Sequence, residues 1–81
     1  MYEEINELVA VVAIFKDGRT LPYCFRWRGR KYVVESTNLE HQERRGLDLL
    51  FCFSVSAGGN TYELSFDSRH LVWTLEKIML S

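Results

Sequence analysis

Cysteine is scarce in this sequence, and its two copies stand too far apart for the frameworks that cysteines usually build. Cys24 and Cys52 each lie within an apolar run, and neither belongs to a C-x-x-C pair. Zinc ribbons and redox dithiols need such pairs, so the spacing argues against both classes. The N-terminus is acidic and lacks a basic segment before an apolar one, so we expect no signal peptide. The alternative is a single disulfide in a secreted domain, but we expect two buried free thiols in a cytoplasmic protein.

Long apolar runs and glycine-rich phosphate loops are also missing. The longest uncharged apolar run covers only residues 8–15, whereas a membrane-spanning helix needs about 20 residues. No glycine-rich loop opens a helical pattern, so the sequence has no phosphate cradle. The net charge of −1 gives no strong field of one sign. The sequence thus predicts neither a membrane partner nor an identifiable small-molecule substrate.

Catalytic and metal-binding constellations are absent as well. One histidine, His41, has Glu40 and Glu43 beside it, and the other, His70, follows an arginine at a predicted turn. Carboxylates next to a histidine could hold a metal ion at the surface, but in a polar connection they usually only interact with solvent. No base stands near either cysteine in the sequence to activate it. We therefore predict that the protein is not an enzyme and uses no metal or cofactor.

Alternation of apolar and polar residues with a period of two is the strongest pattern that is present, and it predicts β-strands. The predicted runs are residues 8–15, 21–27, 32–34, 47–55 and 62–67. In residues 21–27 one apolar stripe is formed by the residues at odd positions, namely Leu21, Tyr23, Phe25 and Trp27. Residues 8–15 are apolar on both faces, which predicts a strand that is covered on both sides.

Two further segments are ambiguous. Residues 38–46 are polar and predict either a loop or one helical turn. The tail, residues 68–80, fits both a helical and a strand pattern, but Trp73 and Thr74 at its centre favour a strand. Asp-Gly, Arg-Gly and Gly-Gly pairs between the runs indicate tight turns. Pro22 predicts that the start of the second run lies at a sheet edge.

These patterns predict one all-β domain over residues 1–81. We expect a mostly antiparallel, strongly bent sheet or small barrel of five or six strands, with an SH3-like shape. So short a chain has a thin core and modest stability. The predicted core residues are Phe25, Tyr32, Val34, Phe51, Phe53, Val55, Tyr62, Leu64, Phe66 and Trp73.

Cations and aromatic residues alternate in residues 25–32, FRWRGRKY, which predicts a hairpin. Its tight turn could centre on residues 28–29 or on residues 29–30. Cross-strand partners share a face of the sheet. In both registers the aromatic residues therefore lie on one face, while Arg26 and Lys31 lie on the other.

The basic face of this hairpin has two interpretations. Residues 16–32 carry a local charge of +5, and the cations are either simply solvated or form a surface that binds anions. Nucleic acid would then be bound weakly and without sequence preference, because only a few phosphates are contacted. The candidate contacts are Arg26, Arg28, Arg30 and Lys31.

The run at residues 8–15 suggests a second surface. A small barrel has one interior, so the other face of this strand needs a cover, either the tail or another chain. The two alternative faces are Leu8, Val12 and Ile14, and Val9, Val11 and Phe15. The first set is the candidate partner surface. We therefore expect a module for protein interaction or self-association as a homodimer, with weak nucleic-acid binding as the alternative.

The spaced pattern F-x-W-R-G-R-x-Y-x-V, followed by F-x-V, Y-E-L-x-F and W-x-L-E, resembles a group of short bacterial proteins of unknown function. Some of these are encoded near error-prone DNA polymerases. The matching positions are Phe25, Trp27, Arg28, Gly29, Arg30, Tyr32, Val34, Phe53, Val55, Tyr62, Glu63, Leu64, Phe66, Trp73, Leu75 and Glu76. The resemblance implies a small all-β domain, a strand in the tail and no catalytic residue. The gene neighbourhood implies a weak link to nucleic acid.

Overall fold

Seven antiparallel strands make up this domain in a computed structural model that describes residues 1–80. The strands are β1 (Tyr2–Lys16), β2 (Arg19–Trp27), β3 (Arg30–Val33), β4 (Ser36–Arg45), β5 (Asp48–Ala57), β6 (Asn60–Asp67) and β7 (Val72–Met79). They form one sheet in the order β3-β2-β1-β7-β6-β5-β4. The all-β prediction is confirmed, as is the strand in the tail. Residues 1–80 contain no helix that could cross a membrane.

The strands β3 and β4 lie at opposite edges of the sheet, but in the chain only Val34 and Glu35 connect them. So short a connection requires the sheet to curl. The backbone N–H of Val34 donates to Tyr23 of β2 at 2.9 Å, and that of Glu35 donates to Ser56 of β5 at 2.8 Å. Consecutive residues thus bond to the two sides of the sheet, so its edges must meet at this corner. The result is a half-barrel with a concave inner face and a convex outer face.

Aromatic and aliphatic side chains fill the inner face. Phe25 stacks on Tyr32 with ring centroids 5.1 Å apart, and Tyr62 meets Phe25 edge-on at 5.2 Å. The buried cluster consists of Phe25, Phe53, Val55, Ala57, Tyr62, Leu64, Phe66, Trp73, Leu75 and Ile78. Most of the predicted core is therefore confirmed. Three predicted members are only partly buried, namely Tyr32, Val34 and Phe51.

The prediction for residues 38–46 was wrong, since most of this segment belongs to strand β4. β4 is an edge strand that pairs only with β5, for example His41 with Cys52. Charged side chains are common on edge strands because they discourage pairing with other chains. The polar composition of this segment therefore concealed a strand. β4 raises the strand count to seven, so the predicted five or six strands and the SH3-like shape differ from the structure in detail.

β1 is longer than predicted, because it begins at Tyr2 rather than near Leu8. Its register with β7 shifts between Glu4 and Glu7. Asn6 lies within this shift and has a φ of 53°, which is in the left-handed region. An irregular residue of this kind is a β-bulge, and it interrupts the alternation by which a strand is recognised.

A second bulge places Tyr23 of β2 on a different face from the one predicted. The register between β1 and β2 shifts between Val12 and Ala13, which leaves Tyr23 without a partner on β1. Tyr23 is 55% exposed, so its predicted place in the apolar stripe was wrong. The prediction for Pro22 is confirmed, because β3 pairs with β2 only from Cys24 onward and leaves the start of β2 at an edge.

The hairpin of β2 and β3 adopts the first of the two predicted registers. Phe25 lies opposite Tyr32, and the turn consists of Arg28 and Gly29. These two residues have φ values of 50° and 78°, and positive φ at both positions defines the type I′ turn that suits a two-residue hairpin. Glycine adopts such a φ without a steric penalty, which explains the Arg-Gly pair here.

Candidate docking surface on the outer face

The outer face of β1 carries an uncovered row of apolar side chains. Leu8, Val12 and Ile14 are 71%, 59% and 50% exposed. β7 is hydrogen-bonded beside β1 in the same sheet, so the tail does not lie over these side chains. The sequence left either the tail or another chain to pack on this face. Within the described residues 1–80, the tail does not.

The alternative face of the same strand points inward. Val9 and Val11 are partly buried and pack against the core. Phe15 is more exposed, but its ring meets that of Phe66 edge-on with the centroids 5.8 Å apart. The structure therefore selects Leu8, Val12 and Ile14 as the outward set, in agreement with the candidate partner surface.

Two cations lie on the same outer face, beside the apolar row. Ala10 of β1 is opposite Arg26 of β2, and Arg26 is opposite Lys31 of β3. Cross-strand partners share a face, so the apolar row and the two cations form one surface. The sequence had suggested two separate surfaces, because its pattern did not reveal how β1 pairs with β2. We call this surface the β1–β3 face, and its members are Leu8, Ala10, Val12, Ile14, Arg26, Lys31 and Val33.

Two shallow depressions flank the β1–β3 face at Ala10, whose side chain is the smallest in the row. One depression, of about 270 Å³, is lined by Arg26 and Lys31 together with residues of β1. The other, of about 380 Å³, is lined by Leu71 and Val72 together with residues of β1. One flank of the apolar row is thus cationic and the other is apolar.

The cations of the hairpin differ in whether they are paired. Arg28 Nη2 lies 2.7 Å from Glu7 Oε2, and the Arg28 guanidinium lies 4.6 Å from the ring centroid of Trp27. The hydrogen bond from Arg28 lowers the pKa of Glu7 below its usual value. No ion pair within residues 1–80 involves the other three candidate cations, Arg26, Arg30 and Lys31.

The aromatic rings of the hairpin are engaged within the domain. Trp27 Nε1 donates a hydrogen bond to Glu7 Oε1 at 2.9 Å. Tyr32 stacks on Phe25 and contacts Tyr62 at a centroid distance of 5.4 Å. Single-stranded nucleic acid usually stacks its bases on exposed rings next to cations. The hairpin offers cations on its outer face, but its rings point toward the core.

Potential metal ligands meet at one place among the described residues, between the start of β5 and the β6–β7 turn. Ligand atoms of Asp48, Asp67 and His70 lie within 4.8 Å of one another. Asp67 Oδ1 accepts hydrogen bonds from the backbone N–H groups of Arg69 and His70 at 2.9 and 3.2 Å. Arg69 Nη1 also lies 3.5 Å from Asp48 Oδ1. Asp67 thus stabilises the turn, and the guanidinium of Arg69 already lies beside Asp48. We therefore assign no metal to this cluster.

The polar residues that the sequence singled out in β4 lie on different faces. Glu40 is opposite the buried Phe53, whereas His41 is opposite Cys52 on the outer face. Glu40 forms an ion pair with Arg19 across the open side of the half-barrel. Strand alternation therefore separates Glu40 from His41 and Glu43, which share the outer face, and the Glu43 carboxylate is already paired with Arg45 at 2.6 Å.

The two cysteines are free, and they lie far apart in the sheet order. Cys24 is buried as predicted, while Cys52 is only half-buried. Burial raises the pKa of Cys52 to about 11. The Cys52 thiol is therefore protonated at neutral pH, and a protonated thiol is a poor nucleophile.

No protein-family model, curated protein or solved structure matches this chain. The resemblance to the short bacterial proteins therefore stays a prediction. What the chain can do has to be argued from the geometry and charge of its own surfaces.

Proposed function

We propose that this domain is a non-enzymatic protein-interaction module whose docking surface is the β1–β3 face. The observation that supports it is the exposure of Leu8, Val12 and Ile14 on a face that no described part of the chain covers. A contiguous row of exposed apolar side chains commonly marks an interaction site. Burying about 400 Å² of apolar surface there would contribute on the order of 10 kcal/mol before the costs of association.

The partner is either a second copy of the chain or another protein. A homodimer is the simplest form, because it requires no other component, and C2 dimers are the commonest oligomers. We also propose a cytoplasmic location, which the two free thiols favour because disulfides rarely persist there.

Sedimentation velocity over a wide range of concentrations tests self-association. If a second copy occupies the face, the wild type should associate and the double variant Leu8→Ser/Val12→Ser should remain monomeric. The matched control is Leu39→Ser, since Leu39 is 69% exposed but lies on β4. The proposal fails if the wild type stays monomeric at high concentration and also retains no protein partner that the double variant loses.

We propose weak nucleic-acid binding as the second candidate function. It is favoured by three cations that have no acidic partner within residues 1–80. Arg26 and Lys31 share the outer face, whereas Arg30 is opposite Trp27 at the end of the hairpin. Three phosphate contacts predict that log K falls with log salt concentration with a slope of about −2 to −3. Such contacts carry no sequence information.

Titration of labelled single- and double-stranded oligonucleotides at low salt tests this candidate. We expect Arg26→Glu/Lys31→Glu to lose the binding that the wild type shows. Arg28→Gln is the matched control, because Arg28 is already paired with Glu7 and should contribute little. Equal binding by the wild type and the charge-reversed variant, or none by either, contradicts this candidate.

A further inference from the structure

The two sides of the β1–β3 face differ in chemistry, since cations lie on one side of β1 and apolar residues on the other. Neighbouring strands are about 4.8 Å apart, so Arg26 on β2 and Lys31 on β3 lie roughly 5 and 10 Å to one side of β1. On the opposite side of β1, at the start of β7, lie the exposed Leu71 and Val72. A helix with its side chains is about 10 Å wide. A segment resting on the apolar row of β1 would therefore meet apolar groups along one edge and cations along the other.

The cations limit what can occupy this face. Arg26 and Lys31 have no ion-pair partner within residues 1–80. An entirely apolar partner would remove water from both charges without compensating them, which is unfavourable. A partner that places carboxylates at this edge avoids that cost. We infer that the occupant is an acidic amphipathic protein segment, with carboxylates beside apolar side chains. This inference rests on the proposed docking function.

A second copy of the chain fits this requirement poorly. In a face-to-face dimer whose two-fold axis runs across β1, the strand β2 lies over its own copy, so the cations of both chains meet. If the axis runs along β1, Arg26 lies over β7 and Lys31 over β6. Glu76 of β7 is already 2.9 Å from Arg45 Nη2, and Asp67 of β6 is already 2.8 Å from His70 Nδ1. Charge therefore favours a different protein over a homodimer in both arrangements.

Fluorescence anisotropy with three labelled peptides tests the inference. The peptides share one length and one set of leucines, and their polar positions are all Glu, all Ser or all Lys. We expect the wild type at low salt to bind the Glu peptide about 3- to 30-fold more tightly than the Ser peptide. This range corresponds to two exposed ion pairs. The preference should shrink at high salt because exposed charges are screened.

Three variants distinguish the source of the preference. Arg26→Glu/Lys31→Glu should reverse it toward the Lys peptide, and Leu8→Ser/Val12→Ser should weaken the binding of all three peptides. Arg44→Glu is the matched control, because Arg44 is an exposed cation on β4 that has no ion pair within residues 1–80. It should leave the preference unchanged.

The negative outcomes separate this inference from the proposed function. Equal affinity for the Glu and Ser peptides would overturn the acidic partner while leaving the docking face intact. A different outcome is that none of the three peptides binds, while the wild type self-associates and Leu8→Ser/Val12→Ser abolishes that association. This outcome would identify a second copy as the occupant and overturn the inference. Failure of the peptides without self-association would count against both. An oligonucleotide that still binds Leu8→Ser/Val12→Ser but not the charge-reversed variant would assign the cations to nucleic acid and overturn the inference.

Discussion

The outer face of the sheet has two halves that handle charge differently. On the half formed by β4–β7, Arg45 pairs with Glu43 at 2.6 Å and with Glu76 at 2.9 Å. On the half formed by β1–β3, Arg26 and Lys31 pair with no acid of residues 1–80 and lie beside exposed aliphatic side chains. On the first half, the guanidinium of Arg45 and the two carboxylates beside it satisfy one another within the chain. The second half leaves both charges and apolar surface for something outside it.

The two halves share one core, and that core should dominate stability. Phe53 is 4% exposed and packs against Trp73 with ring centroids 5.7 Å apart. We expect Phe53→Ala to lower the free energy of unfolding by roughly 3–5 kcal/mol, because it removes a buried ring and leaves a cavity. Chemical denaturation monitored by circular dichroism measures this change. The matched control Leu8→Ala should cost less than about 0.5 kcal/mol. A comparable loss in the control would mean that the β1–β3 face serves the fold.

The polar half should depend on its ion pairs. The Glu76 side chain is only 16% exposed. Arg45→Met would leave this carboxylate largely buried and without its guanidinium partner. We expect a loss of about 2 kcal/mol in the free energy of unfolding. Arg44→Met, at a neighbouring cation that has no ion pair within the described part of the chain, should change stability by less than about 0.5 kcal/mol. Equal effects of the two substitutions would contradict the distinction between the two halves.

The same carboxylate should make stability depend on pH. Burial alone would raise the pKa of Glu76, but the hydrogen bonds from Arg45 and Ser65 and the charges of Arg45 and Lys77 together outweigh burial and hold the pKa below its usual 4.5. A lowered folded-state pKa stabilises the fold above pH 4.5, and this contribution is lost as the pH falls through the folded-state value. The unfolding free energy of the wild type should therefore fall more on acidification than that of Glu76→Gln. Parallel pH profiles would show that Glu76 is not the group responsible.

The smallest effect should come from the cations of the β1–β3 face. Arg26→Glu/Lys31→Glu removes no ion pair among residues 1–80, so stability should change by less than about 0.5 kcal/mol. Thermal unfolding followed by circular dichroism measures this difference. A large destabilisation would show that these cations support the hairpin rather than a partner.

The sequence predicted the inner face better than the outer one. Burial repeats every second residue, so Phe53, Tyr62 and Leu64 could be placed in the core from alternation alone. Edge strand β4 was missed, because its charged residues face solvent and discourage pairing with other chains, so they show no buried face. The exposed position of Tyr23 was missed as well, since a bulge shifts the faces of a strand without a sequence signal of its own.

The candidate site was predicted in parts and not as a whole. Leu8, Val12 and Ile14 were recognisable because an apolar strand with two apolar faces exceeds what one small core can cover. Arg26 and Lys31 could be placed on the outer side of the hairpin by cross-strand pairing. That both sets share one surface depends on the long-range register of β1 with β2, which no local pattern encodes.

Chemical-shift mapping by nuclear magnetic resonance tests the central claim most directly. The isotope-labelled wild-type chain is titrated with the unlabelled leucine–glutamate peptide, and its backbone amide shifts are followed. The docking account predicts that the shifted amides cluster at Leu8, Ala10, Val12, Arg26 and Lys31, while the amides of β4–β6 stay unchanged. Shifts confined to the polar half, or shifts that Leu8→Ser/Val12→Ser leaves unaltered, would contradict it.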